Sequence, residues 1–192
     1  GELLFNYTRN FNQNRVLTID ASSAIEYNRE NTDISTQNLT EQNTGIGNPY
    51  LQKTHFYEDA NLTNFTVNYV HPVKEIGIIE TGYKTTLRFI NDDYLRSNQQ
   101  NGNFITDLSH TDIFKFSEQI HALYLQYTGW VGTQQEPVWK YQFGIRPEQV
   151  WNAGDNVRSS YNFSNNYFQL YPSASLIYYT PKRNSFKLAY SK

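Results

Sequence analysis

The chain has 192 residues, with 16 Lys and Arg against 18 Asp and Glu and a net charge of −2. So weak a field offers nothing to a polyanion, which sets nucleic-acid binding aside. Cysteine is absent, excluding a disulfide scaffold and thiolate zinc sites and suiting passage through an oxidising periplasm.

The elements come as strands. A first one occupies roughly 2–9, "ELLFNYTR". In 15–28, Leu17, Ile19, Ala21, Ile25 and Tyr27 share one parity, opposed by Thr18, Asp20, Ser22, Glu26 and Asn28. In 64–70, Phe65, Val67 and Tyr69 oppose Asn64, Thr66 and Asn68. In 78–89, Ile79, Thr81, Tyr83, Thr85, Leu87 and Phe89 oppose Glu80, Gly82, Lys84, Thr86 and Arg88. Residues 118–128 are apolar on both parities, and Leu123, Leu125 and Tyr127 are taken as the outward set. In 139–148, Trp139, Tyr141, Phe143 and Ile145 oppose Lys140, Gln142, Gly144, Arg146 and Glu148. The pattern recurs over 168–178 and in 185–192, where Phe186, Leu188 and Tyr190 oppose Lys187, Ala189 and Ser191. Successive side chains of a strand point to opposite faces, so each segment has one apolar and one polar face.

That makes about eight strands and no sustained helical stripe. No apolar run approaches the ~20 residues of a membrane helix. Many of the strands reach 10–14 residues by this reading; ordinary ones average ~5–6, and strands tilted across a bilayer need ~9–11. Connections give a second clue. Short links at 11–14, 71–75, 132–137 and 181–184 alternate with long polar links at about 29–58, 91–113 and 152–165. Short turns on one edge and long loops on the other are the pattern of an outer-membrane barrel, turns periplasmic and loops extracellular. The fold expected is therefore all-β: an antiparallel transmembrane β-barrel, apolar side chains to lipid and polar ones to a wet lumen. The chain reads as a single barrel segment over 1–192, with no plug, signal peptide or linker visible in it.

The segments "NYVHPVKEIGIIETGYKTTLRF", "DIFKFSEQIHALYLQY", "YQFGIRPEQVW" and "NYFQLYPSASLIYYTPKRNSFKLAYSK" resemble the outer-membrane β-barrel family of Bacteroidetes, which is similar to TonB-dependent receptors. The resemblance rests on Tyr69 and Pro72; on Glu80, Gly82 and Lys84; on Glu118, Ile120, Ala122 and Tyr124; on Gly144, Arg146 and Glu148; and on Tyr167, Phe168, Pro172 and Tyr190. It implies a receptor that takes up a ligand across the outer membrane of a Gram-negative cell, with this chain a sector of a larger barrel. The partners it implies are outer-membrane lipid, the rest of the barrel, a plug domain, and an energy-coupling inner-membrane complex or other outer-membrane subunits. Two alternatives stand beside it. One is a soluble or surface β-sandwich that binds carbohydrate, with the Leu17, Tyr83 and Phe143 face as a dry core. The other is a non-transporting outer-membrane scaffold subunit.

The candidate lumen lining is Glu80, Lys84, Arg88, Lys140, Gln142, Arg146 and Glu148, joined by Asp20, Glu26 and Lys187. Both signs are present, so a lattice of cross-strand pairs explains these residues as well as ligand guidance does. His55, His71, His110 and His121 lack zinc-ligand spacing. Glu58–Asp59 and Asp92–Asp93 offer oxygens for calcium, but solvated acidic residues in loops are commoner. No nucleophile motif or phosphate-cradling loop is present, so neither an enzyme nor a cofactor is expected. Trp130, Trp139, Trp151, Tyr127, Tyr178 and Tyr179 fall near strand ends, where interfacial girdle residues sit.

Overall fold

The computed structural model describes residues 1–158, 161–181 and 184–192. Among these residues nine strands form one antiparallel sheet: β1 (Glu2–Asn10), β2 (Val16–Leu39), β3 (Gly45–Val73), β4 (Gly77–Gln100), β5 (Asn103–Thr106), β6 (Asp112–Gly132), β7 (Pro137–Asn156), β8 (Tyr161–Tyr179) and β9 (Ser185–Ser191). The order across the sheet is β1-β2-β3-β4-β6-β7-β8-β9, with β5 a short flap on the far end of β4. Every neighbour in this row is also a neighbour in sequence or one flap removed, so the sheet is a meander. It is not closed: β1 and β9 do not pair with each other. Lys182 and Arg183 of the expected turn at 181–184, and Ser159 and Ser160 of the link at 152–165, lie outside the described residues.

The long links are corrected by the structure. Most of what reads as loop is strand. β2 and β3 pair without a break from Val16↔Val70 to Thr36↔Tyr50 and turn only at 40–44. β4 runs on to Gln100 and folds back as β5 through Asn101 and Gly102, both at positive φ (50° and 82°). The physical reason is that a hairpin already closed in the membrane can lengthen without closing a new loop. Above the membrane both faces are wet, so apolar alternation disappears while pairing continues. Cross-strand contacts hold the extension: His55 Nδ1 lies 2.6 Å from Asn31 Oδ1, and Lys53 Nζ stands 4.7 Å above the Phe104 ring and 3.9 Å from Asp33. The Asn-Gly pair is the sequence signal for that hairpin turn.

The link from β5 to β6 is pinned by Asp107. Its carboxylate accepts the Ser109 amide (3.1 Å) and hydroxyl (2.6 Å), Asn98 Nδ2 (3.0 Å) and a contact from His110 Nδ1 (2.9 Å). Ser109 foremost, then Asn98 and His110, holds this carboxyl far below the usual carboxylate range. A depressed folded-state value contributes stability that is complete above the ordinary carboxylate range and is lost as pH falls through the folded value. Amide protection of Ser109 and His110 in hydrogen exchange is therefore expected to hold from neutral pH down to that range and to decay only below it. In Asp107→Asn the protection falls throughout the range in which the Asp107 carboxylate is ionised, and the decay at low pH is lost.

Among the described residues only Ala122 and Val150 are buried apolar side chains. The apolar face instead stands open: Leu125 is 53% exposed, Phe143 57%, Phe168 63% and Leu188 76%. Among the described residues there is one sheet and no second layer, so they do not form a sandwich, and the Leu17, Tyr83 and Phe143 face expected as a dry core is not buried. Side chains this large and this exposed need an apolar solvent.

The apolar face also has the right height. Trp139 and Trp151 share it on β7, and their separation corresponds to ~30 Å along the membrane normal at the usual strand rise and tilt. On β2 the outward apolar set runs from Leu17 to Tyr27. The row of Trp151 passes through Gln119, Leu87 and Thr63 and meets β2 at Ser23, four positions short of Tyr27. The apolar band thus slides about one residue per strand. One ~3.3 Å step for each ~4.8 Å of strand spacing means a tilt of ~35°, the value barrel walls have.

Candidate functional site

Antiparallel partners share a face, so the register fixes which side chains line the polar side. The row Asp20–Thr66–Lys84–Ala122–Glu148–Gln169 crosses six strands of that face. Glu80, Arg88, Lys140, Gln142 and Arg146 share its parity and join it. All seven candidate lining residues therefore lie on one face, as do Asp20, Glu26 and Lys187.

They are not one cluster. Lys84, Arg146 and Glu148 line a hollow of ≈590 Å³ together with Tyr124, Gln126 and Tyr171. Arg146 Nε donates to Glu148 Oε1 (2.6 Å) on its own strand, and its guanidinium lies 5.1 Å from the Tyr171 ring centre on the next. Tyr124 donates to Asn68 Oδ1 (2.6 Å). Lys84 is exposed and makes no ion pair within 4.0 Å among the described residues. Its direct neighbours Thr66 and Ala122 are short, which leaves the ammonium free to project into the hollow. The other four lie outside it. Glu80 accepts from Gln126 Nε2 (2.5 Å), and Arg88 Nη1 pairs with Glu118 Oε2 (3.4 Å) across β4 and β6. Lys140 sits near the short turns beside Glu136 and Tyr179 in a separate hollow, and Gln142 lies one position further along the same face.

Sequence reasoning sets Asn68 and Tyr171 on the polar parity without naming them as lining, and leaves Gln126 unplaced, although its parity puts it on this wall. It also misplaced two girdle residues. Tyr127, Trp139, Trp151 and Tyr178 do stand on the apolar face, where Trp139 and Tyr178 pack at 4.6 Å between ring centres. Trp130, opposite Lys140, and Tyr179, opposite Ser185, point to the polar face instead. Nearness to a strand end says nothing of direction, and each adjoins an outward residue. At the other end of the outward face His121 joins Trp151 (5.4 Å, edge-on) and its Nδ1 lies 2.6 Å from the Tyr83 hydroxyl.

Chemically this wall presents charge-assisted pairs, amides and hydroxyls to water. Among the described residues no group of three or more His, Asp or Glu lies close enough to hold a metal ion. Residues 9–192 match the family described as "Outer membrane protein beta-barrel family". No curated protein matches the chain.

Proposed function

Because the chain belongs to the outer membrane protein beta-barrel family and lies in the outer membrane, we propose that it is a sector of the wall of a larger barrel that takes up a ligand. The observation that carries this is the pairing of an exposed apolar face with an opposed hollow of mixed charge, on a sheet whose two edge strands have no partner on their outer sides among the described residues. A membrane sheet must close, since free backbone groups in hydrocarbon each cost several kcal/mol. Further strands on the outer sides of β1 and β9 would satisfy them. The resemblance to the outer-membrane β-barrel family of Bacteroidetes, itself similar to TonB-dependent receptors, supports energised uptake through a plugged lumen, with lipid outside and an inner-membrane complex as energy source. The polar face serves as lumen lining, and the tall β2–β3 and β4–β5 hairpins stand outside the cell.

Two experiments test this. In the full-length protein within isolated outer membranes, Lys84→Cys and Gln142→Cys react with a water-soluble maleimide, while Leu125→Cys and Phe143→Cys react only after detergent is added. The reverse pattern turns the sheet round and ends the proposal. Uptake by intact cells is abolished when the inner-membrane proton gradient is collapsed. Uptake that survives the collapse points to a passive pore, and no uptake at all points to a scaffold.

A further inference from the structure

The outward face is not uniformly apolar. From its midlevel to the short turns, β6 and β7 carry only glycine, aliphatic and aromatic residues on it: Leu125, Tyr127, Gly129 and Val131 against Ile145, Phe143, Tyr141 and Trp139. Toward the tall hairpins the same two strands present His121 opposite Gln149 and Gln119 opposite Trp151. His121 stands four residues from Leu125 along β6. At the usual rise and tilt that is ~10 Å outward of the midlevel and ~5 Å short of the Trp151 row. The change in character therefore falls within the outer half of the band and not beyond its end.

An amide in hydrocarbon is costly unless a partner meets its hydrogen-bonding groups. Within the chain these groups are only partly met. Gln149 Nε2 donates to Asn166 Oδ1 (2.5 Å) and to the Tyr167 carbonyl (3.0 Å). A main-chain carbonyl only accepts, so this contact fixes which end of the amide is nitrogen and leaves Oε1 as an open acceptor. Gln119 is exposed, and its amide has no partner among the described residues. His121 Nδ1 meets the Tyr83 hydroxyl (2.6 Å), which leaves Nε2 open. Acceptors and donors are thus left open side by side at one depth, with no carboxylate, Lys or Arg among them.

The chain lies in the outer membrane, and this patch is continuous with the band that lipid covers. A glycerophospholipid offers ester carbonyls at this depth, which accept and cannot donate. They answer an amide N–H but not the open oxygens of Gln119 and Gln149. A lipid A-type glycolipid carries amide N–H and 3-hydroxyl groups at the roots of its acyl chains, and these donate as well as accept. We infer that the Gln119–His121–Gln149 patch binds a lipid A-type glycolipid of the outer leaflet through the amide and hydroxyl groups of its acyl-chain roots. This rests on the apolar face meeting lipid and on the tall hairpins standing outside the cell.

The test offers full-length protein in detergent an equimolar mixture of lipid A and cardiolipin and weighs the complexes by native mass spectrometry. Cardiolipin also has two phosphates, but its unhydroxylated chains are joined through esters alone. Lipid A is retained at least ~10-fold more than cardiolipin, within the scale of two hydrogen bonds. Gln119→Leu, which breaks no bond within the chain, lowers that preference ~5-fold, the worth of one. Equal retention of the two lipids, or a preference untouched by Gln119→Leu, overturns the inference. So does a dimer that is lost with Gln119→Leu, because a second subunit then covers the patch. Two cysteine variants separate the ways of failing. Leu125→Cys in isolated outer membranes stays closed to the water-soluble maleimide, and Glu41→Cys in the β2–β3 turn reacts with a bulky maleimide on intact cells. With both results in hand, equal retention condemns the glycolipid alone. A reactive Leu125→Cys removes the lipid face, an unreactive Glu41→Cys removes the orientation, and either takes the inference with it.

Discussion

Leu125→Arg is expected to destabilise the protein in lipid by ~2–4 kcal/mol, the cost of an arginine on a barrel's lipid face near the bilayer midplane. Leu125 lies opposite Thr81 on β4 and Ile145 on β7, midway along the apolar band, and is 53% exposed. In water a half-exposed leucine replaced by arginine changes stability by no more than ~0.5 kcal/mol, because the long side chain simply turns into solvent. The two environments therefore differ several-fold at one position. Denaturant unfolding in lipid vesicles measures it, with Lys84→Gln as the reference change. Lys84 has no ion-pair partner to lose among the described residues and projects from the opposite face, so its replacement is nearly silent. A Leu125→Arg protein as stable as the parent would mean that no hydrocarbon covers this face.

The comparison also shows what the sequence carries and what it leaves out. The two faces are legible at almost every strand because a side-chain period of two survives any local irregularity. Thus Lys84, Arg146 and Glu148 fall on one wall although 62 residues separate Lys84 from Arg146. Alternation in 118–128 is blurred because Ile120 and Ala122 are apolar residues on the polar face, and Ala122 is among the few buried ones. Strand length above the membrane is not legible from hydropathy. Where both faces are wet, Thr, Asn and Asp serve either side, and only the Asn101–Gly102 turn marks the return. The direction of an aromatic near a strand end depends on counting from a fixed register, which is why Trp130 and Tyr179 were misassigned while Trp139 and Tyr178 were not. Which pairs meet across strands depends on register too. Arg88 finding Glu118, and Gln126 finding Glu80, are facts of the β4–β6 alignment.

That alignment also explains why a glycine sits between Glu80 and Lys84. Gly82 faces the lumen side opposite Tyr124, whose ring lies over it; a Cβ there would meet the Val67 carbonyl oxygen at 2.4 Å and Tyr124 Cε1 at 2.5 Å. Its φ lies outside the left-handed region, so space and not backbone conformation demands glycine. In a compatible strand position Gly→Ala stabilises, by ~0.4–1 kcal/mol, through the unfolded chain. Here the sign reverses. Gly82→Ala is expected to cost ~1–3 kcal/mol, the range for overpacking, and toward the upper end because a main-chain carbonyl in a paired ladder cannot retreat as a ring tip can. Tyr124→Phe is the companion change. It keeps the ring over Gly82 and removes only the hydrogen bond to Asn68, at ~1 kcal/mol. The double variant Gly82→Ala with Tyr124→Leu separates the two contacts: partial recovery assigns part of the strain to the ring, and the remainder belongs to the carbonyl of Val67. A neutral or stabilising Gly82→Ala, read by the same unfolding in vesicles, would remove the steric reason for this glycine and with it the close β3–β4–β6 packing that places Glu80 and Lys84 on the wall.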